Sequence, residues 1–168
     1  MASFIDALRE GYRRDPLRAE TPEMIAAIAD DPEGFLAELR DPPATLVLPD
    51  GSLGPRVPST TLWWVEGDDF LGSLGVRHEL NPTLEVVGGH VGYAVRPSAR
   101  GRGHATAILA AGLAWVRRNL PLTRVLLTIN TLNLASIRVA EKAGGLHTRT
   151  VPHIWRPGEE ITHFWIEL

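Results

Sequence analysis

Cysteine is missing from all 168 residues of this chain. That excludes disulfides, thiolate metal sites and any mechanism through a covalent cysteine intermediate. Lysine occurs once, at Lys142, so arginine is the chain's default cation. No apolar run approaches the roughly 20 residues that cross a bilayer, and the Met1-Ala2-Ser3-Phe4 start has no basic flank leading into an apolar core. No membrane association is expected, and cytoplasmic is the default location. Repeats, low-complexity segments and a domain linker are also missing. The most informative absence is local. Between Val86 and Ala140 there is no aspartate or glutamate, but there are seven arginines: Arg96, Arg100, Arg102, Arg117, Arg118, Arg124 and Arg138. Net charge is −3, so with +7 in this segment the remainder carries −10. An acidic chain gives no reason to expect nucleic acid, whereas a positive middle suggests a polyanionic ligand held centrally.

What is present describes an ordinary globular protein, 44% hydrophobic and 22% charged, with the length of one domain. We expect a single domain over 1–168, with helices and a loop over 1–59 and the core over 60–168. Phe4, Leu8 and Tyr12, spaced by four, predict a helix within 3–14. Thr21-Pro22-Glu23 and Asp31-Pro32-Glu33 each read as an N-cap followed by proline in the first turn. Asp41-Pro42-Pro43 stops the second of these helices. Residues 44–60 hold five prolines and glycines around Leu46-Val47-Leu48, a loop-rich connection with one edge strand.

Strands come next. Thr60–Val65 and Phe70–His78 form a hairpin through Glu66-Gly67-Asp68-Asp69, and Glu79–Thr83 breaks the run. A strand over His90–Val95 leads to a helix over roughly 104–119, with Ala105, Leu109, Leu113 and Val116 facing the core. Arg124–Ile129 reads as a buried, parallel-type strand. Asn130–Asn133 is a polar elbow, Leu134–Ala143 a helix ended by Gly144-Gly145, and Leu146–Val151 and Ile161–Ile166 are final strands. This order predicts an α+β or mixed α/β domain, with one splayed parallel pair inside a largely antiparallel sheet flanked by helices.

The stretch from Val95 to Thr106 joins a strand to a helix N-terminus through a proline and two glycines. Glycine lets backbone approach a ligand closely, and the first amides of a helix lack internal partners. With the helix dipole and the charges of Arg100 and Arg102, such a turn suits a phosphate group. The Gly101-x-Gly103 pair does not make a dinucleotide fingerprint, because position 106 is Thr and no acidic residue follows before Glu141.

Arg100-Gly101-Arg102-Gly103-His104-Ala105 resembles the acetyl-CoA signature of the GNAT superfamily of N-acetyltransferases, Gln/Arg-x-x-Gly-x-Gly/Ala. Asn133-Leu134-Ala135-Ser136 and Glu141-Lys142-Ala143-Gly144-Gly145 resemble its downstream continuation. Arg77-His78-Glu79-Leu80-Asn81 and Gly88-Gly89-His90-Val91-Gly92-Tyr93, with Val95-Arg96-Pro97-Ser98, are similar to one bacterial branch. The resemblance covers roughly residues 60–168. It implies a three-layer fold and acetyl-CoA as co-substrate, with no metal. It implies pantetheine along the backbone of Tyr93, Ala94 and Val95, and pyrophosphate at Gly101, Arg102, Gly103, His104, Ala105 and Thr106, flanked by Arg96 and Arg100. Asn133 and Ser136 would meet the pantetheine arm, and the Val95 N–H would serve an oxyanion. The acceptor implied is a primary amine of an unidentified small molecule or peptide. Homodimers are common in the family.

The chain departs from that pattern where the family's base and acid stand. Thr128 occupies the position of a glutamate five residues before Asn133, and Ala140 that of a tyrosine seven residues after it. Glu79 and His90 are the candidate bases, and Tyr93 and Ser136 the candidate acids. His78 reads as a structural residue, and the five tryptophans as core packing or the wall of an acceptor pocket. His147, His153 and His163 lack the spacing of a metal site. The missing pair keeps a second reading open: an acyl-CoA sensor without catalysis.

Overall fold

The computed structural model describes residues 1–15, 19–48 and 51–168. It is a mixed α/β fold of antiparallel sheets and helices. The described residues divide into two compact units: Met1–Arg56 with Trp63–Ser73 and Ala94–His104, and Val57–Leu62 with Leu74–Tyr93 and Ala105–Leu168.

The first unit is built on three short helices, α1 (Ala2–Arg9), α2 (Pro22–Asp30) and α3 (Pro32–Arg40). The caps expected at Thr21 and Asp31 form: their side chains accept from the Met24 and Gly34 amides. The first helix is shorter than its apolar spacing suggests. The chain turns at Gly11, and the Tyr12 N–H returns to the Ala7 carbonyl, so Tyr12 packs from outside the helix. Phe4 is the hub, with ring centroids 4.6 Å from Trp63, 5.0 Å from Phe70 and 5.5 Å from Phe35. Burying each such ring contributes about 2–3 kcal/mol. Residues 44–60 hold two facing strands rather than one: β1 (Thr45–Val47) pairs antiparallel with β2 (Leu53–Pro55). Pro49 and Asp50 of that connection lie outside the described residues.

A sheet of order β3-β4-β5 supplies strand segments to both units: β3 (Ser59–Glu66), β4 (Asp69–Arg77) and β5 (Val91–Val95). In the second unit, α4 (Pro82–Val86) follows β4, where the sequence reading saw only a break. Asn81 caps it by accepting from the Leu84 amide, with Pro82 at the first position. That signature is the one used twice in the N-terminal helices, but five residues are too few to show an apolar period. Helix α5 (His104–Asn119) buries Ile108, Leu109, Gly112, Leu113 and Val116.

The remaining elements are β6 (Arg124–Asn130), α6 (Leu134–Lys142), β7 (Leu146–Pro152) and β8 (Glu160–Glu167). They include a second sheet of order β6-β8-β7, antiparallel throughout. β6 is buried, but its ladder partner is β8, and among the described residues no ladder joins β5 to β6.

Candidate functional site: a free strand edge and a glycine turn

Strand β5 ends its sheet, and two bonds fix its register. The Arg77 N–H donates to the His90 carbonyl at 2.7 Å, and the Arg96 N–H to the Leu71 carbonyl at 2.8 Å. Both pairs belong to one unshifted antiparallel register, in which backbone groups alternate between edges. The His90 carbonyl, residues 92 and 94 and the Arg96 N–H therefore bond toward β4, while the His90 N–H turns away to Leu126. Val91, Tyr93 and Val95 present their N–H and C=O groups on the opposite edge, which no strand covers among the described residues. This corrects the reading of Ala94 as a ligand-binding residue, because its amide and carbonyl belong to the β4 side. The Val95 carbonyl accepts from Arg100 Nε at 3.2 Å, leaving its N–H on the free edge.

After β5, a single 3-10 turn (Pro97–Ala99) leads to the glycines. Gly101 and Gly103 have φ of 77° and 85°, and an added Cβ at either would meet nothing within 4 Å. Glycine is needed there for the backbone angle, and the space beside the turn is open. Arg100, Gly101, Arg102 and Gly103 are exposed, and the first turn of α5 carries no acidic side chain. Arg102 makes no hydrogen bond or ion pair among the described residues. Open space, positive-φ glycines, helix amides and an uncommitted guanidinium are a donor set that fits a pyrophosphate. Thr106 in that first turn is exposed and Ala105 half-buried. His104 is half-buried too, and its Nδ1 accepts from the Trp64 indole at 3.4 Å. Arg96 is not available as a phosphate ligand, another correction. Its Nε and Nη2 donate to Glu10 Oε1, and its Nη1 to Ser3 Oγ at 2.9 Å.

His90 is committed to the backbone of β6. It is 6% exposed, and its Nδ1 accepts from the Leu126 N–H at 3.0 Å while its own N–H donates to the Leu126 carbonyl at 2.8 Å. One residue thus makes both bonds that a neighbouring strand would make at this point. With Nδ1 accepting, the neutral ring carries its proton on Nε2, so no lone pair is free to take a proton from substrate. Burial, then Arg77 and Arg124, pushes the imidazole pKa below its ordinary value, which keeps the ring neutral. Its partners reinforce the contact: Gly88 N–H donates to Thr128 Oγ1 at 2.7 Å, and Arg77 Nη1 holds the carbonyls of Gly88 and Gly89 at 3.0 Å each. Thr128, at the position of the family's glutamate, is thus a backbone anchor.

At the start of α6, Asn133 caps the helix through the Ser136 N–H at 3.1 Å. The Tyr93 hydroxyl donates to the Ser136 carbonyl at 3.4 Å, and burial holds its pKa above the ordinary phenol range. Tyr93, Asn133 and Ser136 are therefore brought together. Glu79 is exposed beyond β4 and makes no hydrogen bond or ion pair among the described residues. His78 is structural as expected, its Nε2 2.9 Å from Thr60 Oγ1. The roles of Glu10 and Ser3 escaped the sequence reading. Ser3 and Glu10 lie two helical turns apart on one face, but nothing local in sequence ties them to Arg96.

The chain belongs to the GNAT acetyltransferases: the family model described as "Acetyltransferase (GNAT) domain" matches residues 16–145. No curated protein matches it. Among solved structures it is similar to RimL, a ribosomal L7/L12 alpha-N-protein acetyltransferase in complex with coenzyme A. That likeness has a TM-score of 0.63 at 12% identity, over 99% of this chain and 88% of that one. A ribosomal-protein-alanine N-acetyltransferase from Brucella melitensis matches at 0.61 and 15%, over 99% and 91%. YncA from Salmonella typhimurium, a putative acetyltransferase with its cofactor acetyl-CoA, matches at 0.56 and 15%, over 99% and 86%. At these identities the likeness is one of fold. Among the described residues no helix is long and apolar enough to cross a membrane.

Proposed function

We propose that the 168 residues act as one N-acetyltransferase domain that moves an acetyl group from acetyl-CoA directly to a primary amine. The observation that carries this reading is the uncovered edge of β5 running into a turn with open space, two positive-φ glycines and a free arginine. Pantetheine lies along the Tyr93 and Val95 backbone as an extra strand, and the amides from Gly101 to Thr106 take the pyrophosphate. With no cysteine in the chain, the amine attacks the thioester carbon itself. The N–C bond forms, the C–S bond breaks, and CoA leaves as the thiolate. The Val95 N–H, on the free edge, stabilises the oxyanion. Tyr93, held protonated by burial and oriented by the Ser136 carbonyl, supplies the proton to the thiolate. Glu79 takes the proton of the attacking ammonium; with His90 committed to Leu126, it is the remaining base candidate. The acceptor class is a cationic amine of a small molecule or peptide, in keeping with the −10 carried outside the basic segment.

Thiol release from acetyl-CoA, followed against spermidine, an aminosugar and a peptide with a free N-terminus, tests the reading. Release stimulated by at least one amine is the expected result. Tight acetyl-CoA binding with no turnover on any of them contradicts it. That outcome favours an acyl-CoA sensor, the reading supported by Thr128 serving the Gly88 backbone and by Ala140 at the tyrosine position.

A further inference from the structure

The glycine turn is tied to α1 by a polar clamp. Glu10, the C-cap of α1, receives Arg96 Nε at 2.9 Å and Nη2 on Oε1, and the Ser98 N–H at 3.3 Å on Oε2. Ser3, on the same face of the helix, accepts from Arg96 Nη1 at 2.9 Å and from the Phe70 N–H at 3.0 Å, and donates to Asp69 Oδ1 at 3.2 Å. The chain it grips has little of its own to hold it. Between Arg96 and Gly103 the turn's own backbone bonds are Ala99 N–H to Arg96 O at 2.9 Å and Arg100 N–H to Pro97 O at 3.3 Å.

We propose that Glu10 is a positioning residue for the phosphate turn. By holding the Arg96 side chain and the Ser98 amide together, it fixes the angle at which the chain leaves β5 and hence the direction of the amides that follow. This rests on the acetyl-CoA reading of the turn. The clamp also explains why an arginine beside an anion site is paired to a carboxylate. Its rigidity orients the turn, while Arg100 and Arg102 provide the field. The Arg96 and Ser98 contacts hold the Glu10 carboxyl at a pKa of about 2, so the clamp is intact at every pH an acetyltransferase assay uses.

The experiment compares two probes on the full chain: CoA by calorimetry, and pantetheine, which has the arm but no pyrophosphate, by NMR titration. In Glu10→Gln an amide nitrogen or oxygen must mismatch either Ser98 or Arg96. We expect its Kd for CoA to rise about tenfold, with pantetheine binding unchanged. Arg96→Lys, which keeps the cation but loses the planar fork, is expected to show a smaller rise in the same pattern, and it serves if Glu10→Gln does not fold. CoA affinity unchanged in a folded variant overturns the proposal. Equal weakening of CoA and pantetheine also overturns it, because that is general loosening of the unit. If the unsubstituted chain binds no CoA, the acetyl-CoA reading itself falls first, and the clamp with it.

Discussion

Gly89→Ala is expected to lower the unfolding free energy by about 3 kcal/mol or more. A Cβ at Gly89 would stand 2.4 Å from the Leu126 carbonyl oxygen, 3.0 Å from its carbon and 3.3 Å from the Thr128 nitrogen. All three are backbone atoms of β6, so no rotamer change relieves the clash. The φ of 61° adds roughly 1–2 kcal/mol for any L-residue with a side chain. Moving β6 away would also break the pair of bonds between His90 and Leu126 and leave a buried N–H without a partner. Gly67→Ala is the control. Its φ is 57°, nothing lies within 4 Å of its Cβ, and only the same backbone cost of roughly 1–2 kcal/mol is expected. Urea unfolding of the two variants measures the difference. Equal losses would mean that the close approach of Gly89 to β6 is not there.

Arg102→Glu is expected to raise the Kd for CoA by about 100-fold at low salt, and by less as ionic strength rises. Arg102 is exposed and makes no bond within the described residues, so the substitution leaves the fold alone and reads the ligand directly. It reverses the charge beside the proposed pyrophosphate while the helix amides remain. Arg117→Glu makes the same charge change in the last turn of α5. At about 1.5 Å per residue it lies roughly 20 Å along the helix, beyond the screening length of about 10 Å at 0.1 M salt, where it should leave CoA affinity within about twofold. Calorimetric titration of the two variants against the unsubstituted chain decides. An unchanged Kd for Arg102→Glu would remove the turn from the donor site.

Much of the glycine turn's geometry was legible in the sequence because its cause is local. The glycines at 101 and 103, the helix start behind them and the acid-free run of arginines all act through neighbours in the chain. The same holds for the caps at Thr21, Asp31 and Asn133, where a short side chain serves an amide three residues on. The misreadings share a different cause. Arg96 looked like Arg102 in sequence, and only folding brings Glu10, 86 residues away, onto its guanidinium. His90 looked like a base until Leu126, 36 residues on, claimed its Nδ1. Ala94 was grouped with Tyr93 and Val95 because alternation across an edge appears only when the register against β4 is known. Periodicity reports which residues are apolar, and says nothing about which backbone groups a distant side chain will claim.

Amide hydrogen exchange with and without CoA tests the central claim most directly, because it reads the proposed contacts one amide at a time. Slower exchange on adding CoA is predicted at Gly101 to Thr106 and at Tyr93 and Val95, with Gly92 and Ala94, already bonded toward β4, little changed. Protection confined to other segments, or none at saturating CoA, would contradict the account.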